Sequence, residues 1–118
     1  MITAESRTIR EFQIMAFHIL DKIENIEEGD RKIFEINGQS LLLIHHQQKY
    51  FCIENKCGHF GNPLEEGKIE GNAIFCPVHG ISWNLETGEI DNRPYENADP
   101  IAIFRVELVN GEIGIEIP

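Results

Sequence analysis

The stretch CGHFGNPLEEGKIEGNAIFCPVHG, residues 57–80, contains two short phrases that each pair a thiol with an imidazole. Cys57 and His59 are separated by one residue, and Cys76 and His79 are separated by two residues. Thiolate and imidazole are the side chains that bind zinc, copper and iron–sulfur clusters. Two such pairs, separated by residues 60–75, therefore predict a metal centre built from two loops.

The order of the ligands favours two metals over one. A zinc finger usually takes two cysteines from one segment and two histidines from another. Here each segment supplies one of each, which suits a binuclear centre in which one iron binds both thiolates and the other binds both imidazoles. Gly58, Gly61 and Gly80 would then let backbone N–H groups approach the bridging sulfides. A single structural zinc ion in an interaction module remains an alternative.

Composition limits the classes of function. The chain has 118 residues, enough for one domain of ordinary size. It carries a net charge of -10, which disfavours nucleic-acid binding and suits a basic protein partner or simple solubility. Three cysteines exclude a complete disulfide framework, and no apolar run is long enough to span a membrane. We therefore expect a cytoplasmic monomer that binds neither membrane nor nucleic acid.

The pattern of apolar residues predicts an all-β fold. Strand signals lie at residues 31–36, 40–45 and 49–55, and Asn37-Gly38 between the first two is a strong hairpin turn. Further turns are predicted at Gly71-Asn72, around Thr87-Gly88, and at Asn110-Gly111 between the last two strands, IAIFRVEL and EIGIEI. Turns at such short intervals favour a sandwich or small barrels. Both Cys/His phrases then lie in loops at strand ends.

The N-terminal residues are the least informative. Residues 1–15 are interpreted as an extension, either a short amphipathic helix over about Thr3–Met15 or residues upstream of a native start at Met15. Residues 16–118 are predicted to form the domain.

The two phrases and their flanking Gly and Pro resemble the motif of the Rieske [2Fe–2S] family. The resemblance extends from about Phe17 to Pro118. It implies three antiparallel β-sheets, a small cluster-binding subdomain at about residues 50–95, and one [2Fe–2S] cluster per chain. By position, Cys57 and Cys76 would bind one iron, and His59 and His79 the other.

Departures from the respiratory members of the family indicate a low reduction potential. Those proteins have an extra disulfide-bonded cysteine in each loop, at the positions of Asn62 and Val78. They also place Ser and Tyr hydroxyls near the cluster sulfurs, where this chain has Ile81 and Trp83. Fewer hydrogen bonds to sulfur leave the reduced state less stabilised, so we expect a potential near the lower end of the Rieske range of about -150 to +300 mV.

The resemblance implies a one-electron carrier, not an enzyme, that passes electrons from a flavin reductase to an oxygenase or similar terminal enzyme. A small Rieske subunit of a larger reductase, of the nitrite reductase type, is the alternative within the family. The sequence identifies neither the redox partners nor the terminal substrate.

Several other residues are expected to have no role at the metal centre. Cys52 is expected to be a small buried thiol on a strand. Trp83 is expected to pack beneath the second loop, and Glu65 and Glu66 are expected to be solvated. The remaining histidines are expected at the surface or at strand ends: His18, His45 and His46.

Overall fold

The computed structural model describes residues 16–58, 61–77, 80–91 and 98–117. These ranges form three antiparallel sheets and a short 3-10 turn at Ile23–Asn25, which confirms the all-β prediction. None of the described segments forms a helix long and apolar enough to cross a membrane. The strands are β1 (Ala16–Lys22), β2 (Arg31–Ile36), β3 (Gln39–His46), β4 (Lys49–Glu54), β5 (Ile69–Glu70), β6 (Ala73–Phe75), β7 (Ser82–Asn84), β8 (Ile103–Phe104), β9 (Val106–Val109) and β10 (Glu112–Ile117).

The central sheet, in the order β2-β3-β4-β8, is buried on both faces along β3. Successive side chains of a strand point to opposite faces. Leu42 and Ile44 therefore join the apolar cluster that contains both loop cysteines, whereas Leu41 and Leu43 join a second cluster with β10. Burial on both faces explains why β3 reads as an unbroken apolar run, although its sheet is antiparallel.

The other two sheets pack against opposite faces of the central sheet. Strands β1, β10 and β9 form one of them, and the buried side chains Ile113, Ile115 and Ile117 of β10 pack into the second apolar cluster. Strands β5, β6 and β7 form the smaller sheet, in which Ile74 pairs with Trp83. Both of these residues are fully buried beside the loop cysteines. The small sheet therefore carries the candidate site.

The predicted hairpin turns are confirmed. Asn37 and Gly38 have φ values of 52° and 79°, and Asn110 and Gly111 have 52° and 78°. Two consecutive positive φ values are what a type I′ turn requires, and its twist matches that of the flanking strands. The turn at Gly71 joins β5 to β6.

Three features differ from the sequence-based expectations. The sequence pattern does not predict strand β1, and it does not predict the turn between β3 and β4 at Gln47 and Gln48. The predicted strand IAIFRVEL is divided, because β8 pairs with β4 while β9 pairs with β10 in another sheet. The proposed helix at Thr3–Met15 lies outside the described residues.

Candidate metal centre

Two loops with the same hydrogen-bonding pattern carry the candidate ligands. In the first loop the Cys57 N–H donates to the Asn62 carbonyl at 2.7 Å, and the Gly61 N–H donates to the Cys57 carbonyl at 2.9 Å. The second loop repeats both bonds at matching positions, from Cys76 to Ile81 at 2.7 Å and from Gly80 to Cys76 at 3.0 Å. Each loop thus begins with a cysteine and reverses at a glycine four residues later.

Both cysteines are held inside the protein. Cys57 and Cys76 are each 2% exposed and belong to one apolar cluster, together with Leu64 and Trp83. None of the three cysteines forms a disulfide. The structure therefore brings Cys57 and Cys76 into one apolar cluster.

The two predicted imidazole ligands, His59 and His79, lie outside the described residues, as does Val78. Within the described ranges no group of three or more His, Cys, Asp or Glu side chains is placed to hold a metal ion. The assignment of all four ligands thus stays a prediction.

The loop glycines are explained by close backbone contacts and by backbone conformation within the protein. A Cβ on Gly58 would lie 1.9 Å from the carbonyl oxygen of Asp99, so no larger residue fits without displacing that backbone. Gly61 and Gly80 have open space where a Cβ would be, but their φ values of 75° and 76° lie in the left-handed region. The predicted approach of these glycines to bridging sulfides stays a prediction.

Asn55 fixes the entrance of the first loop. Its side chain is buried, its Oδ1 accepts the Leu64 N–H at 2.8 Å, and its Nδ2 donates to Glu65 Oε1 at 3.0 Å and to Ser40 Oγ at 3.3 Å. The end of β4 is thus tied to the chain leaving the loop. Glu65 is half-buried and hydrogen-bonded, whereas Glu66 is exposed, as expected.

Arg31 of β2 holds the same segment from the central sheet. Its Nη1 donates to the carbonyl of Glu65 at 2.9 Å and to that of Gly67 at 2.6 Å. Neither Asn55 nor Arg31 was singled out from the sequence. Asn55 lies between a buried strand and Cys57, where a polar side chain needs hydrogen-bond partners. This position in the sequence could have identified Asn55 as a structural residue of the loop.

Trp83 is fully buried, which confirms its predicted packing role. Its indole Nε1–H donates to the carbonyl of Asp99 at 2.9 Å. The indole has this one donor only. The hydrogen bond is therefore made to the backbone of the segment that covers Gly58.

Cys52, His45 and His46 are placed as expected, whereas His18 lies inside β1 and its Nε2 is buried. Cys52 is 2% exposed in the second apolar cluster, and burial raises the pKa of its thiol to about 12. His45 and His46 end β3; His45 stacks on Tyr50 with ring centroids 4.1 Å apart. Cys52 is thus a packing residue, as predicted.

The residues present fit an iron–sulfur cluster. Two thiols from equivalent loops are the soft donors that iron in such clusters requires. Backbone bonds hold both loops, and Asn55 and Arg31 hold the segment that follows the first loop, so the positions of the two cysteines do not depend on metal alone. Two apolar clusters also hold the three sheets together, so burial of apolar side chains drives the folding of the chain in addition to any metal.

Comparison with known proteins agrees with this chemistry. The family model described as "Rieske [2Fe-2S] domain" matches residues 16–109. The 3-phenylpropionate/cinnamic acid dioxygenase ferredoxin subunit of Photorhabdus laumondii is 28% identical over 96 residues, which are 80% of this chain and 89% of that protein. A structure described as a complex of reduced oxygenase and oxidized ferredoxin in carbazole 1,9a-dioxygenase aligns with a TM-score of 0.74 and 25% identity. That alignment covers 84% of this chain and 91% of that chain.

Some relatives are much longer. Apoptosis-inducing factor 3 of Mus musculus is 26% identical over 93 residues, which are 79% of this chain but 15% of that protein. The chain thus spans about one seventh of this relative and most of the length of the ferredoxin subunit.

Proposed function

Because the chain belongs to the Rieske [2Fe–2S] family, we propose that it is an electron carrier which passes single electrons from a flavin reductase to an oxygenase or similar terminal enzyme. When bound, the cluster supplies a one-electron couple. The chain's own residues hold it, set the polarity around it and present it to partners.

One observation carries the proposal: two buried cysteines occupy equivalent positions in two loops with the same hydrogen bonds. A centre shared between loops needs one thiolate from each. Cys57 and Cys76 are assigned to one iron, and His59 and His79 to the other. Residues 16–118 form the Rieske domain in this proposal, with the cluster-binding subdomain at about residues 50–95 and residues 1–15 as an extension.

The surroundings of the cysteines support a low reduction potential. Reduction adds negative charge, which an apolar environment disfavours. Ile81 is 1% exposed in the same apolar cluster and has no hydroxyl to donate. The N–H of Trp83 is engaged by the Asp99 carbonyl. Neither residue therefore supplies the hydrogen bond to sulfur found in high-potential relatives.

The charge of the chain favours a basic docking partner. A net charge of -10 on 118 residues steers the protein towards positive surfaces and sets the orientation of docking more than its strength. We propose that it acts as a monomer in the cytoplasm. A flavin reductase is the proposed donor, and the ferredoxin relatives of dioxygenase systems support an oxygenase as acceptor.

The proposal is tested by mixing the purified protein with candidate flavin reductases and reduced nicotinamide cofactor while recording visible spectra. We expect bleaching of the cluster bands with one electron taken up per chain. A terminal oxygenase added afterwards should reoxidise the protein. A cluster that no flavin reductase reduces would contradict the carrier role.

The alternative within the family is a fixed subunit of a larger reductase of the nitrite reductase type. A carrier exchanges between donor and acceptor and purifies as a single chain, whereas a fixed subunit co-purifies with its catalytic chain in equal amounts. Size-exclusion chromatography of the protein purified from its own cells therefore separates the two functions.

A further inference from the structure

We infer that Trp83 is a positioning residue for the first cluster loop and acts through the backbone of Asp99; this inference rests on the proposed function. Trp83 lies in β7, beyond the second loop. Its indole hydrogen bond links the second loop's strand to the segment which covers the first loop.

The segment at residues 98–101 is held against two glycines in the same way. The Asp99 N–H donates to the Gly58 carbonyl at 2.8 Å, and the Ile101 N–H donates to the Gly88 carbonyl at 2.8 Å. A Cβ on Gly58 would lie 1.9 Å from the Asp99 oxygen, and a Cβ on Gly88 would lie 2.2 Å from the Ile101 oxygen. The segment thus lies directly on the backbone of both glycines.

Trp83 fixes the Asp99 end of this segment. The Asp99 N–H donates to the Gly58 carbonyl, and the Asp99 carbonyl accepts from the Trp83 indole. Gly58 is the residue between Cys57 and His59. The indole N–H therefore restrains, through the single residue Asp99, the backbone between two predicted ligands.

Loss of the indole donor would leave the Asp99 carbonyl, which lies against Gly58, without this bond. The Asp99 segment would then separate from Gly58 more often. We expect about tenfold more frequent opening of the first loop, the factor that the loss of one such bond predicts.

The test removes the N–H and keeps the ring. Trp83 is the single tryptophan of the chain. Biosynthetic replacement of tryptophan by benzothienylalanine therefore changes this site alone, exchanging N–H for sulfur in a ring of nearly the same shape. Trp83→Phe is the genetic variant. Ile115→Ala is the matched control, because Ile115 is fully buried in the other apolar cluster.

Three quantities are measured on cluster-loaded protein: iron release to a chelator, the EPR spectrum after reduction, and hydrogen exchange by mass spectrometry. Both Trp83 replacements should release iron about ten times faster, alter the EPR spectrum, and accelerate exchange in peptides covering residues 57–64 and 98–104. Ile115→Ala should lower the thermal midpoint and leave the EPR spectrum unchanged.

The outcomes separate this inference from the proposed function. Wild-type protein that binds no iron–sulfur cluster would overturn the proposed function. Loaded protein whose iron release, EPR spectrum and local exchange are unchanged by benzothienylalanine would overturn the role of Trp83 alone. Exchange that accelerates equally in all three sheets would show a general loss of stability and would also overturn that role.

Discussion

Substitution of Ile81 by serine should raise the reduction potential. Ile81 is 1% exposed, and its carbonyl accepts the Cys76 N–H at 2.7 Å, a backbone bond that the substitution leaves in place. High-potential relatives have a serine hydroxyl at this position. A hydrogen bond to a charged group is worth about 1.5–3 kcal/mol. For a one-electron couple this corresponds to a rise of about 60–130 mV.

The measurement is protein-film voltammetry of Ile81→Ser beside Ile81→Ala. Both variants remove a buried apolar side chain and should destabilise the protein by about 2–5 kcal/mol, so the experiment is done in the cold. Only serine restores a donor. The difference between the two variants therefore isolates the hydroxyl. Equal midpoints for serine and alanine, with the cluster intact in both, would refute the reasoning.

Three further predictions follow from the contacts at Gly58, Cys52 and Glu28. Gly58→Ala should cost about 1–3 kcal/mol in chemical unfolding and reduce bound iron, since its Cβ meets the Asp99 carbonyl; Gly61→Ala, strained by φ alone, should keep more iron. Cys52 should resist iodoacetamide at pH 8 in native protein, because burial raises the pKa of its thiol to about 12; rapid alkylation would contradict this. The Glu28 carboxylate accepts the N–H groups of the β3–β4 turn, which lowers the pKa of this carboxyl below the usual 4.5. The ionised carboxylate therefore stabilises the folded protein above about pH 4.5, and this stabilisation is lost as the pH falls through the lowered pKa. Thermal midpoints measured against pH should fall less steeply below pH 4.5 in Glu28→Gln than in wild type, and identical slopes would contradict the assignment.

The fold could be predicted where local chemistry determines it. Asn37-Gly38 and Asn110-Gly111 prefer the two positive φ values of a type I′ turn, so their hairpins are visible in the sequence. Gln47 and Gln48 adopt the same conformation, with φ values of 52° and 66°. Their N–H groups donate to the Glu28 carboxylate at 2.6 and 2.8 Å. This turn is held by a distant side chain, which no local pattern reveals.

The division of the last strands has a similar cause. IAIFRVEL is uniform enough to read as one strand, but β8 pairs with β4 and β9 with β10. The two halves of the segment belong to different sheets. Which partner each half takes depends on packing between sheets, and the alternation of apolar residues does not encode it.

The same difference between local sequence patterns and long-range contacts applies to the candidate site. Cys57 and Cys76 could be proposed as ligands because thiol and imidazole at short spacing have few roles other than binding metal. Asn55 and Arg31 could not, because their function depends on backbone carbonyls and N–H groups brought near them by folding. Gly58 was identified for an approach to sulfide, whereas the structure shows its close contact with Asp99.

The central claim is that two unlike irons share the two loops. Mössbauer spectroscopy of the reduced, iron-enriched protein tests this claim most directly. We expect two iron sites in equal amounts, a ferric site with thiolate ligands and a ferrous site with imidazole ligands. A single metal per chain, or two irons with the same ligands, would contradict the account.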